Sequence, residues 1–232
     1  MTSAPPPFLT QLGQVDADAL LERVTRKSFA RSAVIMHEGS AGENVALVVA
    51  GRIKLAARGV GDRSVVLAVR GPGELVGEMA ALGGTRRSAT ASALEDVEVG
   101  FLSGDDFRAY LREHPDAALV LLRSLVSRMT EATRGLVELA TQDSIGRVAR
   151  RLIELGADHR GVPPTGQYEI ELTQDELASW TGATRETVSR ALRLMRQLGW
   201  VTTGHRTITV LDPAALRARG GDAGSQQPVS ER

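Results

Sequence analysis

The 232-residue chain contains no cysteine. That excludes disulfides, thiolate-ligated metals, iron–sulfur clusters and a cysteine nucleophile, and it suits a reducing, cytoplasmic compartment. Long apolar runs are also missing. No stretch approaches the ~18 residues of a membrane span. The opening MTSAPPPFLTQLG has neither the basic nor the apolar segment of a signal peptide. Aromatics are scarce, at 3%, beside 42% hydrophobic and 24% charged residues, which is a globular composition rather than a fibrous or disordered one. A charge surplus of either sign is lacking: 28 basic residues face 28 acidic ones. Affinity for phosphate backbones grows with positive surplus, so the totals argue against a general polyanion binder. They do not exclude a local surplus. Only Lys27 and Lys54 are lysines, and arginines spread this evenly are read as genome composition.

The length fits one large domain or two small ones. From Val34 to Leu102 short β-rich runs are punctuated by glycine: Val45–Val49, Ile53–Leu55, Val65–Val69 and Val97–Phe101, with Gly59–Asp62 a natural hairpin turn. Such even spacing predicts a small roll or barrel. The first thirty residues, with Leu12, Leu20, Leu21 and Val24, predict short helices packed on it. After Pro115 a long helix runs to about Thr141, and its Leu122, Leu125, Met129, Ala132, Leu136 and Leu139 fall at alternating spacings of 3 and 4. That is the seam of a coiled-coil dimer. The alternative is an amphipathic helix lying on its own core. The class is α+β, divided as 1–114 (roll), 115–142 (long helix and hinge), 143–212 (a second compact unit) and 213–232 (a disordered tail).

In the second unit Thr173 is followed three residues later by Glu176, the capping-box signature of a helix start. Thr181-Gly182-Ala183 supplies a turn and Thr184 caps a second helix running to about Leu198. Two short helices on a glycine turn form a helix-turn-helix, and the alternating residues 201–210 form a following hairpin, or wing. The second helix carries Arg185, Arg190, Arg193 and Arg196 against Glu186 alone, a local surplus in a neutral chain. A solvated basic face is the other reading of the same pattern.

Thr184-Arg185-Glu186-Thr187-Val188-Ser189-Arg190 resembles the recognition helix of the Crp/Fnr family of transcription regulators, and Asp143–Ala149 resembles that family's hinge. The resemblance spans about residues 8–212. It implies a homodimer on a double-stranded DNA palindrome, with Arg185 and Arg190 donating to guanine and Glu186 accepting from cytosine, beside Ser189. It also implies that Thr173 and Thr184 hold phosphates at helix N-termini while His205 and Arg206 at the wing tip touch the backbone. The chemistry agrees, since an arginine fork matches the paired acceptors of guanine. RNA polymerase would be a further partner, through the loop from Asp158 to Gly166. No catalytic residues and no membrane partner are implied.

Gly77-Glu78-Met79-Ala80, followed by Arg87-Ser88, resembles the phosphate-binding cassette of cyclic-nucleotide-binding domains. Under that resemblance the roll is a sensor. Arg87 and Ser88 meet the cyclic phosphate, Glu78 accepts from the ribose hydroxyl, and Gly77 allows close backbone approach. The alternative is a structural Glu78–Arg87 ion pair in a roll that binds nothing. The family's adenine-contacting Thr-Ser pair falls here at Ala132 and Thr133, so one hydroxyl is missing and the base is left open. Cyclic AMP is the first expectation and cyclic GMP the second. A metal or covalent cofactor is not expected, since the four histidines are scattered. Ligand binding would shift the winged units between two arrangements about the hinge at Thr141–Asp143. The rival reading is a ligand-independent regulator with a vestigial pocket.

Overall fold

The computed structural model describes residues 6–59, 64–141, 143–158 and 166–221, leaving aside the side chains of Arg134, Asp158 and residues 138–141. Most of the expected Gly59–Asp62 turn, Gln142 of the hinge, most of the 158–166 loop and the end of the tail lie outside the described residues. The described residues form two units that divide between Ala132 and Thr133.

The first unit begins with a 3-10 turn at Phe8–Gln11 and helix α1 (Gln14–Arg23). Eight strands follow: β1 (Thr25–Phe29), β2 (Val34–Met36), β3 (Asn44–Ala50), β4 (Ile53–Arg58), β5 (Ser64–Arg70), β6 (Leu75–Val76), β7 (Thr90–Ala93) and β8 (Val97–Ser103). The short helix α2 (Glu78–Gly83) lies between β6 and β7. The strands make two antiparallel sheets, ordered β1-β8-β3-β6 and β2-β7-β4-β5. Strand β3 shows why they enclose two cores. Its side chains alternate between faces, so Val45 and Leu47 join Phe8, Leu20, Leu75, Phe107 and Tyr110 in one cluster. Ala46 and Val48 join Met36, Ile53, Ala91 and Val99 in the other. Strands β1, β6 and β7 were not expected. β1 is mostly exposed and polar, and β6 has two residues, so neither carries a period-two apolar signal.

Helix α3 (Gly104–Glu113) is capped by Ser103, whose hydroxyl accepts from the Asp106 amide at 3.0 Å. Helix α4 (Pro115–Thr141) has proline at its first position, where a missing N–H costs nothing. Ala117, Val120, Leu121 and Ser124 of α4 are buried. Leu125, expected on the outer seam, packs half-buried against the same core. The exposed apolar stripe is instead Leu119, Leu122, Val126 and Met129, again at spacings of 3, 4 and 3, and Leu136 is exposed further along. Ala132 is exposed but does not fall in that register, and the Leu139 side chain lies outside the described residues. A spacing of alternating threes and fours fits two adjacent stripes of one helix, and only packing on the roll separates them.

The second unit contains α5 (Ser144–Asp158), β9 (Tyr168–Glu171), α6 (Gln174–Thr181), α7 (Arg185–Gln197), β10 (Val201–Thr203), β11 (Thr207–Val210) and α8 (Pro213–Gly220). The sheet order is β10-β11-β9, all antiparallel. Val148, Leu152, Leu177, Val188, Leu192, Met195, Ile208 and Leu216 close its core. Helix α8 corrects the expected tail, which was drawn from residue 213. Asp212 caps it by accepting from the Ala215 amide at 2.9 Å, Pro213 opens it, and Leu216 is fully buried. Arg219 then pairs with Asp143. Among the described residues no helix is long and apolar enough to cross a membrane.

Each unit buries one tyrosine hydroxyl. Tyr110 donates to the Asp16 carbonyl at 2.9 Å and Tyr168 to the Leu152 carbonyl at 3.1 Å. Burial pushes both phenols up from 10.0 to about 12. Between these values the unfolded chain has released protons that the folded chain retains, so stability is full below pH ~10 and falls toward pH ~12. Urea midpoints at pH 9 and 11.5 should show the loss, and Tyr110→Phe should lessen it for the first unit. An equal loss in that variant would remove Tyr110 as a source.

Candidate ligand pocket and candidate nucleic-acid interface

In the first unit the expected cassette is drawn together by α2. Gly77 caps this helix at a φ of 85°, a left-handed conformation that side chains resist. It also leaves room. A Cβ there would lie 2.1 Å from Nη1 of Arg87. Arg87 is 7% exposed, and its Nη2 donates to both the carbonyl and the side-chain Oδ1 of Asn44 at 2.8 Å. Its Nη1 is buried with no hydrogen-bond partner. Desolvation lowers the Arg87 pKa, and Glu78 and Glu43 counter only part of that effect. The cassette therefore holds a desolvated guanidinium with one donor group free, which fits a site for an anion.

Glu78, 3% exposed, does not form the ion pair with Arg87 that the alternative reading of the cassette requires. Its Oε1 is bound by Nη1 of Arg128, on α4, at 2.5 Å. Nη2 of Arg128 donates to the Leu75 carbonyl at 3.3 Å and lies 4.0 Å from Glu74, which Arg70 approaches at 3.5 Å. Asn44 and Arg128 carry no local sequence signal because they meet Arg87 and Glu78 across 43 and 50 residues, and Glu74, beside its local contact with Arg70, meets Arg128 only through the fold. Ala80 is buried against the roll, whereas Met79 is 62% exposed and Ser88 is exposed at the edge. Ala132 and Thr133 are exposed on α4, at the boundary of the two units in sequence.

In the second unit the helix-turn-helix is capped as its sequence requires. Thr173 accepts from the Glu176 amide at 3.1 Å, while Oε2 of Glu176 accepts from the Thr173 amide at 2.8 Å. Gly182 closes α6 at a φ of 62°. Thr184 caps α7 by accepting from the Thr187 amide at 3.1 Å. Val188, Ala191, Leu192 and Met195 bury one face of α7. The opposite face opens on a cleft of about 490 Å³ lined by Gln174, Arg185, Glu186, Ser189, Arg190 and Arg193. Arg185 lies 3.5 Å from Asp175 of α6. Arg196 leaves the cleft, donating to Thr203 at 3.0 Å and so tying α7 to the wing. At the wing tip His205 and Arg206 are exposed, Arg206 with a φ of 59°. Arg193 and Gln174 complete the cleft beyond the expected set. The cleft presents arginine forks and short polar side chains on one exposed helix face, donors of the kind that can meet base edges or phosphates.

Comparison with known proteins reaches both units. Residues 26–114 match the cyclic nucleotide-binding domain and residues 146–219 the Crp-like helix-turn-helix domain. The chain is similar to the cyclic AMP receptor protein of Thermus thermophilus, at 34% identity over 210 residues, 90% of this chain and 94% of that one. It is also similar to the CRP-like cAMP-activated global transcriptional regulator of Mycobacterium tuberculosis, at 28% over 203 residues, 87% and 90% of the two chains. Among solved structures it resembles TTHA1359, a CRP/FNR family regulator of Thermus thermophilus. The TM-score is 0.71 at 28% identity, over 84% of this chain and 98% of that one. It shares its fold with the c-di-GMP-responsive regulator CLP of Xanthomonas campestris, with a TM-score of 0.76 at 24% identity, over 86% and 99%.

Gly77→Ala should lower the stability of the first unit by about 1–2 kcal/mol from the left-handed backbone alone, read as a shifted urea midpoint. An unchanged midpoint would mean that the cassette does not need this conformation.

Proposed function

The chain belongs to the Crp/Fnr family of DNA-binding transcription regulators and carries that family's cyclic nucleotide-binding domain, and from this premise we propose that a cyclic nucleotide seated on Arg87 controls its operator affinity. Its relatives regulate transcription rather than catalyse reactions. The observation that carries the proposal is the buried, unpartnered Nη1 of Arg87. A cyclic phosphodiester supplies one negative charge and the missing acceptor. Gly77 borders that position, Ala80 and the exposed Ser88 are assigned to its rim on the resemblance of the cassette, and Glu78 accepts from the ribose 2′-hydroxyl while held by Arg128. Met79 points outward and contributes backbone alone. Cyclic AMP is the first candidate because the relatives from Mycobacterium and Thermus are described by it. Cyclic GMP is the second, since Ala132 offers no hydroxyl to a base and Thr133 offers one.

In the proposed complex Arg185 and Arg190 donate to guanine edges, Glu186 accepts from cytosine and Ser189 lies beside them. Thr173, Thr184, His205 and Arg206 fix the register on phosphates. The operator is a palindrome because the protein acts as a homodimer, whose half-sites lie about 34 Å apart. The stripe Leu119, Leu122, Val126 supports the dimer. These side chains are 50%, 56% and 59% exposed on a helix whose other face is buried.

Calorimetric titration of the purified protein with cyclic AMP and cyclic GMP tests the ligand. Saturable binding of one of them, lost in Arg87→Leu, is expected. No heat from either nucleotide would favour a ligand-independent regulator. For the dimer, replacing Leu122 and Val126 together by glutamate should give monomers in sedimentation velocity, and a surviving dimer would discard the stripe.

A further inference from the structure

Within the cleft on α7, Arg185 carries a carboxylate partner that DNA reading does not require. Asp175 of α6 places Oδ2 3.5 Å from Nη1 of Arg185, and the two side chains are 67% and 70% exposed. Asp175 is not consumed by the helix cap, which uses Thr173 and Glu176. Nor does it stabilise the core. Its backbone carbonyl accepts from Ser179, and the carboxylate faces the arginine. A negative charge at the mouth of a DNA-reading cleft weakens binding to any phosphate backbone. Its place in the first turn of α6 favours the helix dipole, and its position 3.5 Å from Arg185 adds a second effect, on the cleft.

We propose that Asp175 is a specificity-determining residue: it masks Arg185 from phosphates and releases it only to guanine. This rests on Arg185 reading a base, as proposed above. An exposed ion pair is worth a factor of about two to five, whereas a bidentate arginine–guanine contact discriminates by about five- to 150-fold. On the operator, guanine outcompetes the carboxylate and Arg185 swings free. On other sequences no base offers two acceptors in that place, so Arg185 stays with Asp175 and adds no phosphate contact. The carboxylate thereby lowers non-specific affinity more than operator affinity, as repulsive elements do in selective interfaces.

The test compares an operator selected by this protein from a random duplex pool with a mixed-sequence duplex, using the intact protein at several salt concentrations. Asp175→Asn keeps the shape and removes the charge. It should raise affinity for the mixed duplex about three- to tenfold and steepen its log–log salt slope by about 0.9, the value of one further phosphate contact. Operator affinity should rise by no more than about the two- to fivefold worth of the lost ion pair, with its slope unchanged. Equal gains and equal slopes on both duplexes would overturn the proposal. In an Arg185→Ala background Asp175→Asn should leave the mixed-duplex slope unchanged. A full increase there would show general repulsion instead of masking, and would also overturn it. Arg185→Ala alone reports on the parent reading. Loss confined to the operator upholds base readout and equal loss on both duplexes refutes it, whichever way Asp175 behaves.

Discussion

Burying a guanidinium costs several kcal/mol unless its donors find acceptors and its charge finds a partner. The roll accepts that cost at Arg87, whose one amine is satisfied by Asn44 while the other faces the space that Gly77 leaves. The surrounding structure serves this arrangement. Strand β3 presents Asn44 at its first residue, α2 turns on a left-handed glycine, and Glu78 is hydrogen-bonded by Arg128 while its charge still favours ionised Arg87. If Glu78 neutralised Arg87 directly, the cassette would be a finished ion pair with nothing left to bind. The Glu78–Arg128 bond leaves Nη1 of Arg87 without an acceptor and ties the cassette to the long helix, beside the Arg128 bond to the Leu75 carbonyl.

What could be read from the sequence was what is local. The helix-turn-helix lies in one short segment, and each of its signals, the Thr173–Glu176 box, Gly182 and the Thr184 cap, acts within four residues. The cassette was visible for the same reason. Less visible were features set by distant packing. Arg128 reaches back 50 residues to Glu78, and no spacing rule marks it. The exposed stripe of α4 differs from the expected seam at Leu125 because the roll core takes that side chain. Helix α8 does carry a local signal, Asp212 as cap and Pro213 in the first turn, but the helix is only eight residues long and runs straight into the small polar stretch that begins at Gly220.

Electrical neutrality takes on a more definite meaning. From Asp143 onward 12 arginines face 11 acidic residues, so the second unit is barely positive. Within it the arginines of α7 are not a uniform patch. Arg196 is bound to the wing and Arg185 lies against Asp175. In the proposed complex such a surface would lean on base contacts and dimer geometry more than on counterion release.

The central claim is that nucleotide and operator are linked through one protein, and linkage has a reciprocal signature. The decisive measurement is operator affinity at increasing nucleotide concentration, paired with nucleotide affinity on free and operator-bound protein. The account predicts that both affinities rise by the same factor. Affinities that are each indifferent to the other ligand would contradict it.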